Sequence, residues 1–536
     1  MPPPRLIDTE RAREPFDAES PAGAGVPEPA AAHASDPAHA SDPGSESAAI
    51  SGMFGRDMIY LGFWGLQIVL AAALTPAMTR LMPKTAFGQA AAGIAVMQLL
   101  ACLCSFGLYT GVQRAYAGED GEDRARRIVS LAIGLSLVTG LLAYATGRWW
   151  CPLLGLGPFP AAIRYAVLWA TMSAISAPTM GLARSRDQLK GFVAASCAQS
   201  IFAQALALGL VVAVQATAAN YLLGEFLGEV VTAAIGLWLA RPLLPGRVHL
   251  PIFKDTLRFS SALVPAAVAG FVFDASDRIV IHGDLGSASL GRYTVARNIG
   301  GFAIVLLQLV SFTWMPRLFA MKDRDARRKV LATSRDGLYV LAVTFAIAVA
   351  AGSPVLLLLW APASYDPSTL LLITALVAAS ALPYADAVIY QQVLVIDGRT
   401  RAVAVGAIGL ALVNLGLNLA LVPTLGIDGS AAITCFCYAL GAARWRWLAG
   451  MAGPVTHARP LALAVGGFVL CIASAAVPPH GLALVFRLFV ALVAATVFLA
   501  QLAVLIRPDA NHKLRETLVR LSLRIQFSWS ARLKQP

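Results

Sequence analysis

In the stretch FVFDASDRIVIHGDLGSASLGRYTVARN, Phe271 to Asn298, four charges, Asp274, Asp277, Arg278 and Arg297, interrupt an otherwise apolar run. Carboxylates and guanidiniums in such surroundings either pair with one another or line a polar cavity that holds ions and charged head groups. Asp274 and Arg278 are four residues apart, so on a helix they share a face and can pair. Arg297 and Asn298 sit several residues into the following helix and, with Gln308, give the two helices a polar stripe. Asp274 and Arg297 are expected to face a cavity. His282 and Asp284 are expected at the outer interface, where polar side chains cap helices.

Further polar positions call for the same treatment. GEFLGE sets Glu225 and Glu229 four apart on one helical face with Gly224 and Gly228 alongside. The glycines suit close helix packing and the carboxylates suit a cation or proton site, and both readings stand. Asp386 follows Pro383 in ALPYADAVIYQQ, where a proline frees a backbone carbonyl and marks a kink. Asn414 and Asn418, also four apart, suit hydrogen bonds to neighbouring helices. Arg114, in GLYTGVQRAYAGED, is either an interfacial anchor or the cytoplasmic mouth of a cavity.

Several chemistries find no support. The sequence has no GxxxxGK[ST] phosphate loop, no HExxH and no nucleophile elbow, and no connection between apolar segments is long enough for a catalytic domain. An enzyme is therefore not expected, nor is any cofactor or metal. The seven cysteines lie in or beside apolar segments, and the two Cys-x-Cys pairs diverge around a helix, which disfavours both metal binding and a disulfide framework. His33 and His39 in the tandem AHASDPAHASDP make a poor metal site.

The elements that must position these residues follow from composition. Hydrophobic residues are 57% of the 536 and charged residues 13%, with a mean hydropathy of +0.68, more apolar surface than a soluble fold could bury. The runs are long and do not alternate, so they are helices rather than barrel strands. On a criterion of roughly 20 residues per crossing, about fourteen spans are expected, centred from Ile68 to Ala494. Residues 1–55, rich in Pro, Ala, Ser and acids, read as a disordered cytoplasmic tail, with Arg5, Asp8, Glu10 and Arg11 where a signal peptide would be apolar.

Cations orient the spans. With the connection after the first span outside, the opposite connections hold clusters such as Arg124, Arg126 and Arg127, or Arg327, Arg328 and Lys329. The outer connections hold few, so both termini are expected in the cytoplasm. The net charge of +12 follows from this bias and from contact with membrane lipids, and does not imply nucleic acid. Residues 507–536, basic with apolar residues at helical spacing, read as an amphipathic cytoplasmic tail on the membrane surface.

The chain also repeats. LMPKTAFGQAAAGIAVMQLL after the first span echoes GDLGSASLGRYTVARNIGGFAIVLLQ after the seventh, with Phe87-Gly88 matching Leu290-Gly291. LARSRDQLKGFVAAS likewise echoes LVIDGRTRAVAVGAI. Two six-helix halves are inferred, 56–240 and 258–450, joined by a cytoplasmic linker, 241–257, and followed by two additional transmembrane helices, 451–506. Halves of six spans share an orientation, so a pseudo-two-fold along the membrane normal relates them around a cavity. The fold class is an all-α polytopic membrane protein.

DASDRIVIHGDLGSASLGRYTVARN is similar to a segment of Wzx-type polysaccharide biosynthesis flippases, members of the multidrug/oligosaccharidyl-lipid/polysaccharide (MOP) exporter superfamily, and PTLGIDGSAAIT resembles their lead-in to the twelfth span. The resemblance covers about residues 55–506. It implies transfer of an undecaprenyl-pyrophosphate-linked oligosaccharide across a bacterial inner membrane for O-antigen, capsule or exopolysaccharide assembly, possible coupling to a proton or sodium ion, and a polysaccharide polymerase complex as a partner. On that reading Arg278, Arg297, Asn298 and Arg114 bind substrate, while Asp274, Asp277, Asp386, Glu225 and Glu229 balance charge or couple an ion. A peptidoglycan-precursor flippase, a multidrug or cation antiporter of the same superfamily and a membrane glycan polymerase are the alternatives.

Overall fold

The computed structural model describes residues 73–118, 120–243, 250–261, 264–312, 323–450 and 458–506. The terminal tails and the span expected around Ile68 lie outside these residues, apart from a helical end at 73–81, here α1. The described residues all belong to one unit, 59–536.

Every regular element among the described residues is a helix. After α1 come α2 (Lys84–Ser105), α3 (Leu108–Tyr116), α4 (Gly121–Ala145), α5 (Gly147–Leu153), α6 (Ala161–Ser185), α7 (Leu189–Ala213) and α8 (Ala218–Ala240). The second part of the chain supplies α9 (Leu250–Ser261), α10 (Val264–Phe312), α11 (Arg324–Trp360), α12 (Leu371–Ala379), α13 (Ala381–Ile396), α14 (Thr400–Ala449), α15 (Ala458–Ala476) and α16 (Gly481–Ile506). Eleven of these helical segments are long and apolar enough to cross a membrane.

Two of the eleven are hairpins. In one continuous helix Asp274 and Arg297 would stand about 35 Å apart, yet Nη2 of Arg297 lies 2.9 Å from the Asp274 carbonyl oxygen. The reversal falls at Gly286, whose φ of 81° and ψ of 168° only glycine adopts freely. Gly426, at φ 65° and ψ −157°, reverses α14 in the same way. There Ser430 Oγ donates to Asn418 Oδ1 at 2.8 Å across a stretch that a straight helix would extend to about 18 Å. Counting the arms separately, the eleven segments give thirteen candidate crossings among the described residues.

Connections gather alternately at opposite ends, as an up-and-down bundle requires. At the Gly286 end, the Tyr365 hydroxyl donates to the Met82 carbonyl at 3.2 Å, and Gly155 packs against Gly283. At the other end, Arg186 Nη1 donates to the Leu239 carbonyl at 2.6 Å and Arg399 Nη1 to that of Leu448 at 2.6 Å. Leu153, Leu482 and Trp447 are exposed on the outside, the surface lipid would cover.

The repeat-related glycines meet. A β-carbon at Gly88 would stand 1.8 Å from the Ser287 carbonyl oxygen, and one at Gly291 would stand 2.3 Å from that of Lys84. Only hydrogen fits, so α2 and the returning arm of α10 cross backbone to backbone. Beside this crossing Asp366 lies 3.7 Å from Lys84 Nζ and 3.8 Å from Arg292 Nε, joining the two halves at the Gly286 end.

The two additional helices pack on α11. Pro354 inside α11 lacks the amide that would bond the Ala350 carbonyl. Arg487 of α16, 2% exposed, supplies the missing donors: its Nη2 reaches that carbonyl at 3.0 Å and Ser353 Oγ at 3.1 Å. Its Nε reaches the Ala351 carbonyl at 3.3 Å and its Nη1 that of Val477 at 2.7 Å.

Candidate functional site

The α10 hairpin builds the charged cluster. Reversal at Gly286 lays the returning arm against the first, and Arg297 comes to face both carboxylates, 3.6 Å from Asp274 Oδ1 and 3.4 Å from Asp277 Oδ2. Asp277 is 1% exposed and also accepts from the Tyr293 hydroxyl at 2.6 Å. Asp274 is more open, its side chain 58% exposed. Phe273 and Tyr384 both stack edge-on against Tyr438, framing the cluster with aromatic rings.

The pairing of Asp274 with Arg278 is not the one formed. A single guanidinium with five donors serves both carboxylates once the chain doubles back. Arg278 is left without an ion pair among the described residues, its buried Nε lacking a hydrogen-bond partner. Asn298 is half-buried beside Arg297 in the chain, and Asp284 is exposed just before the turn.

A neutral seam continues from the cluster. Ser276, one residue from Asp277, donates to Asn414 Oδ1 at 3.1 Å, and Asn418 donates to the Asn414 carbonyl at 2.8 Å. The two hairpins are thus bonded through buried side chains, as the asparagine spacing suggests.

Glu225 and Glu229 on α8 are each 2% exposed. The close-packing reading of GEFLGE holds: Gly224 and Gly228 let α8 approach α7 so closely that β-carbons there would stand 2.3 Å and 2.4 Å from the Cα atoms of Ala207 and Ala203. That approach buries the carboxylates between helices. Glu229 accepts from Ser176 of α6 and, at 3.2 Å and 3.4 Å, from Gln199 Nε2. Gln199 lies in a π-helical turn of α7, residues 198–202, a distortion frequent at functional sites. Oε1 of Glu225 is buried without a hydrogen-bond partner, and neither carboxylate makes an ion pair among the described residues.

Asp386 lies just past the break at Ser380 between α12 and α13, near the expected proline kink. It is 7% exposed, accepts from the Tyr339 hydroxyl at 2.5 Å and lies 3.9 Å from Arg446. Arg114 is elsewhere, its guanidinium 4.3 Å above the ring of Phe259 on the wall of a separate cavity. No group of three or more histidine, cysteine or acidic side chains placed to hold a metal occurs among the described residues.

Tyr293, Ser176, Gln199, Tyr339, Arg446 and Arg487 are not evident from the sequence. Tyr293 has a signal, since it stands four residues before Arg297 and shares its face. The others are brought in by different helices, and no spacing announces them.

The long apolar helices and their buried charges define a multi-pass membrane protein. The structure superposes on that of the lipid II flippase MurJ in an inward closed conformation, with a TM-score of 0.61 at 11% identity, covering 84% of this chain and 99% of that one. It also superposes on an inward-facing multidrug resistance MATE family transporter of the MOP superfamily, with a TM-score of 0.56 at 15% identity, covering 74% and 94%. A search of curated proteins returns no match. Residues 77–363 match the model of the polysaccharide biosynthesis protein family. More than half the chain is matched, so it belongs to that family.

Proposed function

We propose that this protein carries an undecaprenyl-pyrophosphate-linked oligosaccharide repeat unit from the inner to the outer leaflet of a bacterial inner membrane by alternating access. It acts as a transporter and not as an enzyme, with both termini in the cytoplasm. The observation that carries this reading is the family match, whose residues include the whole α10 hairpin and the glycine crossing between the halves. A lipid-linked diphosphate needs a polar path for its head group while its tail stays in the bilayer. Arg278, the cation of the cluster with no ion pair, is the group left to attract that head group, and Arg297 holds the acidic pair in place.

The closed crossing at Gly88 and Gly291 supports an inward-facing state, with the outer side shut. Two ionised carboxylates buried one helical turn apart repel, so the Glu225 and Glu229 pair holds a proton or a cation, and its loading drives the return step. Asp386 is the second candidate for this coupling.

A deletion strain tests the reading. Loss of surface polysaccharide with single lipid-linked repeat units accumulating on the cytoplasmic leaflet supports it. Normal polysaccharide, or repeat units outside but unpolymerised, contradicts it.

A further inference from the structure

At the end of the bundle opposite Gly286, a cavity of about 650 Å³ opens between the corner joining α3 to α4 and the helix α9. Arg114 and Arg124 line it from the N-terminal half and Arg258 from α9, with Asp255 as the one acid among the described lining residues. None of these three arginines makes an ion pair among the described residues. Three guanidiniums less one carboxylate leave the described lining at a formal charge of +2.

The local packing keeps them converged. Stacking on Phe259 holds the Arg114 guanidinium over the cavity with its donor edges free. Gly111 brings α3 close against α9, since a β-carbon there would stand 2.7 Å from Thr256 Cγ2 and 2.6 Å from Ser260 Oγ. Ser260 is 0% exposed and its hydroxyl has no hydrogen-bond partner, an unspent donor against the cavity lining. Unpaired cations facing one space repel, and an anion in that space relieves them. The planar fork of arginine matches phosphate oxygens two at a time. The volume falls in the usual range of about 300–1,000 Å³ for ligand sites.

We propose that this cavity binds a phosphate or diphosphate group, with Arg124 and Arg258 as ligands from opposite halves and Arg114 beside them. A bound anion then ties the two halves together at this end. The inference rests on the transport reading only for why a diphosphate would arrive there, and the test below is independent of transport.

The full-length protein in nanodiscs of phosphatidylcholine alone would be titrated with inorganic pyrophosphate at low ionic strength. Saturable binding is expected, weakened about tenfold by Arg124→Gln and, separately, by Arg258→Gln. Arg148→Gln, at the opposite end of the bundle, should leave it unchanged, and added salt should weaken it. Competition by phosphatidylglycerol in the nanodisc would support the site with a membrane lipid head group as occupant. Absence of such competition would support it with the occupant a free or carrier-borne diphosphate. No saturable binding, or binding that both glutamine variants retain while folded, would overturn the proposal. If the glutamine variants do not fold, Arg124→Lys and Arg258→Lys keep the charge and lose the fork, and unchanged affinity in both would overturn it equally.

Discussion

Gly88 and Gly291 hold matching places in the two halves and face each other where the halves cross: a β-carbon at Gly88 would stand 2.8 Å from the Gly291 amide nitrogen. A pseudo-two-fold explains why one glycine of the repeat lies against the other, since residues near such an axis meet their own counterparts. The contact is backbone against backbone, so it tolerates no added atom without displacing a helix.

Gly88→Ala should therefore force α2 and α10 apart and cut glycan export severalfold, with a loss of stability of about 1–3 kcal/mol from overpacking. Gly301→Ala, where a β-carbon meets nothing within 4 Å, is the matched control and should export normally. Export by the two variants, normalised to protein level, checks this.

Arg297→Ala should abolish export while expression is retained, because Asp277 is then left buried without a cation. Such a loss destabilises by about 3–5 kcal/mol. Pairing it with Asp277→Asn should recover part of that stability, giving a coupling of about 1 kcal/mol or more in a double-mutant cycle of thermal unfolding. Wild-type surface glycan from Arg297→Ala would remove this residue from the mechanism.

Arg487→Met should destabilise the purified protein by about 3 kcal/mol, since the Ala350, Ala351 and Val477 carbonyls lose a charged donor in an apolar setting. Pro354→Ala should restore part of the loss, because the new amide at position 354 donates to the Ala350 carbonyl. Melting temperatures of the single and double variants decide it, and no rescue would mean that Arg487 does not serve the proline gap.

Glu225→Gln with Glu229→Gln and Asp386→Asn should leave a folded protein whose export no longer responds to proton or sodium gradients. Transport measured under imposed gradients checks this, and unaltered gradient dependence would count against both coupling candidates.

Much of the architecture is legible in the sequence, because membrane helices must be long and apolar and the glycines of a repeat must recur. Gly88 and Gly291 align through the repeat, whereas their direct contact depends on how the two halves cross. The site is legible in part: Asp274, Asp277 and Arg297 all stand out as charges in an apolar run, but the i, i+4 rule sees only one helix and matches Asp274 with Arg278. The hairpin at Gly286 supplies a nearer partner from another helix, and periodicity carries no information on such contacts. Arg487 is hidden for the same reason, since the vacancy it fills is created by a proline far away in the chain.

The most direct measurement places the purified protein in liposomes carrying an undecaprenyl-pyrophosphate-linked oligosaccharide on one leaflet. A glycosidase added outside would cleave only oligosaccharide that has crossed. Protein-dependent crossing that Arg297→Ala abolishes is the predicted result. Crossing no faster than in protein-free liposomes, under every imposed proton and sodium gradient, would contradict the account.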